Sequence, residues 1–142
     1  RIEALRRVID VTDNFYGIVF CKTKVRVDQV AEKLVNLKYK VAALHGDISQ
    51  GQREQILASF KKKRINILVA TDVAARGIDV PEIKFILHFE LPMKSHEFTH
   101  RNGRTARMNA DGTAYVLHCK SDEVPGFIEL SEGQKITESF MP

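Results

Sequence analysis

The run HRNGRTAR, from His100 to Arg107, sets Arg101, Arg104 and Arg107 three residues apart with a histidine at its head. Residues three apart share one face of a helix, and no carboxylate within the run neutralises them. A guanidinium is planar, permanently charged and forked, so such a face suits a phosphate or carboxylate gripped by paired hydrogen bonds. Taken alone, the run also reads as a solvated basic face.

Two further stretches carry chemistry. In LHGDISQGQREQIL (44–57), Gly46 stands between a strand and a turn, where a missing Cβ admits a second backbone or a positive φ. Asp47, Gln50 and Arg53 then line the start of a helix, and free helix N–H groups beside an arginine make a phosphate seat. A well-capped helix with an exposed arginine is the other reading. In ATDVAARGIDVP (70–81), Thr71 offers a hydroxyl and an N–H at a strand end. Arg76, Gly77 and Asp79 follow as cation, joint and acceptor. Asp79 suits a ribose hydroxyl; an Arg76–Asp79 ion pair bracing the turn before Pro81 is the alternative.

Other features carry less. KKKR (61–64) reads as a solvated helix end favoured by the helix dipole, and His88, His96 and His118 read as structural. KSDE (120–123) reads as a helix start. A phosphate-binding Gly-x-x-x-x-Gly-Lys-Ser/Thr loop needs a Gly-Lys pair, and the chain has none. No complete hydrolytic centre can be assembled.

The elements that must position these residues follow from hydropathy. Short Val- and Ile-rich runs alternate with segments of helical period, the pattern of βαβ units around a parallel sheet. Strands are expected at 17–21, 41–44, 65–70, 83–90 and 113–119, with 65–70 central because it is apolar on both faces. Helices are expected over RIEALRRVID, over 24–37 with Val27, Val30, Ala31, Leu34 and Leu37 inward, and from a Ser49/Gln52 capping box to about Lys63. Further helices are expected from about Ser95 and near 122–130. KTK, HGD and TDVAARGID each follow a strand, where open parallel sheets bind ligands.

The 142 residues suffice for one domain with its own core. The net charge of +4 is uneven: residues 1–64 hold fourteen Lys/Arg against seven Asp/Glu, residues 65–119 six of each, and residues 120–142 two against five. A positive first half favours a polyanionic partner. Cys21 and Cys119 have no metal-ligand spacing and read as packed thiols of a reduced, cytoplasmic protein. No apolar run is long enough to span a membrane, and residues 1–20 lack the apolar core and cleavage site of a signal peptide. A first residue Arg1 within an amphipathic helix suggests a piece of something longer.

The ordered set GIVFCKTK, HGDISQGQREQIL, ILVATDVAARGIDVPEI and HRNGRTAR resembles the C-terminal, second RecA-like domain of DEAD-box ATP-dependent RNA helicases over residues 1–130. His100 favours DEAD-box over DEAH-box members. The resemblance implies an α/β three-layer RecA-like fold with a mostly parallel sheet flanked by helices; the acidic, less patterned end of the sequence reads separately as a loosely ordered tail over 131–142. The resemblance also implies that Arg104 and Arg107 reach the γ-phosphate of ATP, with Arg107 as arginine finger, that Asp79 touches the ribose, and that Arg76 and His100 make interdomain contacts. Thr23, Gly46, Asp47, Gln50, Arg53 and Thr71 are then the RNA-binding residues. Mg2+ would be held mainly by an N-terminal RecA-like domain; this chain, a monomer when isolated, would supply half of each ATP and RNA site and be inactive alone. Asn102 and Ala106 depart from the usual aliphatic residue and glycine, but neither removes an arginine. A non-catalytic RNA-binding domain and a DNA helicase or translocase domain are the alternatives.

Overall fold

The computed structural model describes residues 2–12, 14–78, 80, 83–90 and, as backbone, 113–116. The elements run α1 (Ile2–Val11), β1 (Gly17–Phe20), α2 (Lys24–Asn36), β2 (Val41–Leu44), α3 (Gln50–Lys61), β3 (Ile67–Ala70), α4 (Asp72–Ala75), β4 (Phe85–His88) and β5 (Thr113–Val116). The expected helix from Ser95, the helix near 122–130, the tail, Cys119 and the arginine run all lie outside the described residues.

The strands form one sheet in the order β2-β3-β1-β4-β5, and all four pairings are parallel. Parallel neighbours need a crossover, and right-handed crossovers running in opposite directions put their helices on opposite faces. The chain leaves β1 for β2 through α2 and returns to β3 through α3, so these two helices cover different faces.

The side chains confirm this. Val19, Cys21, Ile67, Val69 and Leu87 face a core with Leu5 and Val8 of α1 and Val27, Val30 and Leu34 of α2. The alternate residues Ile18, Phe20, Leu68, Ala70 and Ile86 face Phe60 of α3 and Ala74 and Ala75 of α4. Period-two alternation into two cores makes the three layers. β1 and β3 are buried at every position, as an internal parallel strand requires.

Gly17 is fixed by β4. A Cβ there would stand 2.2 Å from the carbonyl oxygen of Phe85, its register partner. Below the sheet, Tyr16 stacks on Phe60 with ring centroids 4.4 Å apart, and its hydroxyl donates to the Phe60 carbonyl.

Two expectations change. Leu37 ends α2 as its C-cap and is 40% exposed rather than inward, because the helical stripe stops where the helix does. Gly46 has no positive φ, and a Cβ there would meet nothing within 4 Å; neither close approach nor left-handed backbone accounts for it.

Candidate nucleic-acid interface at the carboxyl edge

Phe20, Leu44, Ala70 and His88 end their strands in register. The residues after them therefore form a row: His45, Thr71, Cys21 and Phe89. Backbone bonds stitch it, from Thr71 N–H to the Leu44 carbonyl at 3.3 Å, Cys21 N–H to the Ala70 carbonyl at 3.0 Å and Phe89 N–H to the Phe20 carbonyl at 3.0 Å. The turns carrying KTK, HGD and TDVAARG thus lie side by side.

Helices α2 and α3 open at this edge. Thr23 caps α2, accepting from Arg26 N–H at 3.2 Å. Ser49 and Gln52 form the expected capping box on α3, each side chain accepting from the other's N–H at 3.2 Å. A cap satisfies only part of a helix's first-turn donors, and the rest present partial positive charge. Thr71 caps the short α4 by accepting from Ala74 N–H at 3.3 Å, which leaves its hydroxyl proton free to donate. The sequence indicated a strand end here and missed α4, a single turn too short to show a period.

Two side chains tie the motifs together. Lys24 Nζ lies 2.9 Å from Asp47 Oδ2, and this hydrogen bond and charge hold the Asp47 carboxyl below its ordinary value. His45 Nδ1 accepts from Asp47 N–H at 3.2 Å, so Nε2 carries the proton and donates to Asp28 Oδ1 at 2.9 Å. The HGD turn is thereby fastened to α2 at two points. With its N–H and carboxylate engaged, Asp47 has acceptor capacity suited to a ribose hydroxyl more than to a phosphate.

Arg53 reaches from α3 to the end of α4, donating through Nη1 to the Ala74 carbonyl and through Nη2 to the Arg76 carbonyl at 3.1 Å. It satisfies carbonyls that a helix end leaves open. Gln50 lies at the first position of α3 and donates to Glu54 Oε1 at 3.4 Å. Arg76 is exposed, and Gly77 follows in the left-handed region at φ 80°, where glycine alone is unstrained. At the far end of the row, Glu90 accepts from Lys22 N–H at 3.0 Å and pairs with Arg26 at 3.7 Å.

The structure therefore brings Thr23, Gly46, Asp47, Gln50, Arg53, Thr71 and Arg76 to one edge. Asp79, His100, Arg104 and Arg107 lie outside the described residues. Sequence reading missed Lys24, Asp28, His45 and Glu90 as fasteners; His45 and Lys24 stood within quoted motifs, but a partner across two loops leaves no local signal. No group of three or more His, Cys, Asp or Glu placed to hold a metal occurs among the described residues.

Residues 1–109 match the helicase conserved C-terminal domain. The chain belongs to that family. The helicase domain is 47% identical over 122 residues to DEAD-box ATP-dependent RNA helicase 53 of Oryza sativa, covering 85% of this chain and 20% of that one. It superposes on a DEAD box protein of Methanococcus jannaschii with a TM-score of 0.84 at 38% identity, covering 96% of this chain and 37% of the other. It also superposes on domain 2 of the DEAD-box helicase Mss116p, which was solved bound to an RNA duplex, with a TM-score of 0.78 at 34% identity, covering 93% and 53%. The fold is thus the RecA-like fold of DEAD-box C-terminal domains. The chain spans about a fifth of the length of the plant relatives it matches.

Proposed function

We propose that this helicase domain is the C-terminal half of an ATP-dependent RNA helicase, contributing RNA-backbone contacts and an arginine finger to sites it shares with an N-terminal RecA-like domain. The observation that carries the reading is the alignment of three motif-bearing turns and two helix N-termini on one edge of the sheet, in a chain of helicase family. The RNA bound to Mss116p domain 2 supports the choice of nucleic acid.

In this proposal Thr23, Gly46, Gln50 and Thr71 line the RNA path, Thr71 offering its hydroxyl proton and the starts of α2 and α3 their uncapped N–H groups to phosphates, and Asp47 accepts from a ribose. Arg53 acts mainly by holding the α3 start against the α4 turn. Gly77 directs the chain to Asp79, proposed for the ATP ribose, while Arg76 and His100 meet the other lobe. Arg104 and Arg107 grip the γ-phosphate, and Arg107 balances charge developing on the transferred phosphoryl group, an effect of about 10³ to 10⁵ in rate where such arginines act. Mg2+ would be held mainly by the other lobe and would supply neutralising charge at the phosphates. Residues 1–130 form the domain and 131–142 an acidic tail.

ATP turnover by the two-lobed protein, with and without RNA, tests the assignment. RNA-stimulated turnover that collapses in Arg107→Ala supports it; turnover indifferent to RNA or to Arg107 contradicts it. The 142-residue chain by itself is expected to hydrolyse no ATP.

A further inference from the structure

The opposite edge of the sheet carries a basic surface. The segments that enter the strands meet there: Lys40 accepts on its carbonyl from Asn66 and Ile67 N–H at 3.1 and 3.2 Å, Asn66 accepts from Gly17 N–H at 3.1 Å, and Tyr16 accepts from Lys84 N–H at 3.0 Å. Lys38, Lys40, Lys63, Arg64 and Lys84 are all exposed along this row. None of the five forms an ion pair among the described residues. Lys63 Nζ stands 5.3 Å over the Tyr16 ring.

Two of these lysines occupy positions that disfavour a side chain. The Lys38 and Lys63 N–H groups donate to the Val35 and Phe60 carbonyls, and those of Tyr39 and Arg64 to the Leu34 and Ser59 carbonyls. These are the paired bonds that end a helix with a left-handed residue, usually glycine. Lys38 has φ 72° and Lys63 φ 60°, a conformation that crowds any Cβ. Lysine near a helix C-terminus does favour the dipole, but Lys33 and Lys61 already supply that charge in the last turns of α2 and α3. Stability alone would select glycine at both positions; the row keeps its positive charge instead.

We infer that Lys38, Lys40, Lys63, Arg64 and Lys84 bind the phosphodiester backbone of RNA outside the proposed RNA path, on the edge opposite the motif turns. The inference rests on the RNA-helicase reading above. The row spans β2 to β4, three strand spacings or about 14 Å, and lies at least about 13 Å from the motif edge along four-residue strands. Flexible cationic stems suit a repeating phosphate track without base readout. Beside the row, Val35 and Leu37 are exposed at the end of α2, but both are aliphatic, and no exposed aromatic side chain of the kind that most often anchors a protein partner lies among residues 35–40, 61–66 and 84.

The test compares single-stranded RNAs of about 10 and about 30 nucleotides, one inside and one beyond the usual span of a single binding fold. The two-lobed protein, with a non-hydrolysable ATP analogue, is titrated with each RNA across salt concentrations, as wild type and as Lys38→Gly/Lys40→Gln/Lys63→Gly/Lys84→Gln. The variant should bind the longer RNA at least about tenfold more weakly, with a log–log salt slope shallower by about two to three. Its affinity for the short RNA, and in a separate assay its turnover of ATP with that RNA, should be unchanged. Equal weakening for both RNAs, or for neither, overturns the inference. Lys38→Gly and Lys63→Gly alone should raise Tm; a lower Tm makes those lysines structural and overturns the argument from backbone conformation. Absence of RNA-stimulated turnover in the wild type counts against the helicase reading, whereas the variant's binding loss on the longer RNA reads the surface itself.

Discussion

Arg53 donates from Nη2 to the backbone carbonyl of Arg76 at 3.1 Å, joining the start of α3 to the turn after α4. With the second bond to the Ala74 carbonyl, the HGD and TDVAARG motifs become one rigid unit. Charged donors to carbonyls contribute more than neutral ones, so Arg53→Ala should lower stability by about 2 kcal/mol in urea denaturation. Arg53→Lys should recover little of this, because a single ammonium lacks the planar fork that meets two carbonyls.

Lys24 and Asp47 give a pH signature. The Lys24 hydrogen bond and charge lower the Asp47 pKa from 3.8. A depressed folded-state value means that the stabilisation is present above the ordinary carboxylate value and is lost as pH falls through the lowered midpoint. An NMR titration of the Asp47 side-chain carboxyl should place its midpoint below 3.8 in the wild type, and Lys24→Ala should return it towards the ordinary value. A midpoint insensitive to Lys24 would contradict the pairing.

Gly17 is the least replaceable glycine among the described residues, because a Cβ would overlap the Phe85 carbonyl at 2.2 Å. Backbone on backbone leaves no flexible atom to yield. Gly17→Ala should therefore separate β1 from β4 and lower stability by about 3 kcal/mol or more. Gly46→Ala, with open space around it, should change stability by less than about 0.5 kcal/mol; a loss of RNA affinity in that variant would locate the strand at the HGD turn.

The layered α/β fold was legible because its signals are local. Short continuous apolar runs marked each described strand, though β3 begins at Ile67 and β4 ends at His88, inside the expected limits. The capping box announced α3. Thr71 as an N-cap was hidden because four residues display no helical period. The Arg53 brace and the His45–Asp28 and Lys24–Asp47 links were hidden for another reason, since each joins residues 17 or more apart across separate turns. The charge of KKKR was visible, but its meaning was not, because the φ of Lys63 is a property of the folded backbone.

In the proposed function RNA and ATP share a two-lobed clamp of which this domain is one half. Two ligands that favour the same closed state must tighten each other, by about 5- to 150-fold for typical coupling energies. The most direct measurement is the RNA affinity of the two-lobed protein with and without a non-hydrolysable ATP analogue. Tightening of that order is expected, and its loss in Arg107→Ala. RNA affinity that ignores the nucleotide would contradict the clamp and leave an RNA-binding domain on a helicase fold.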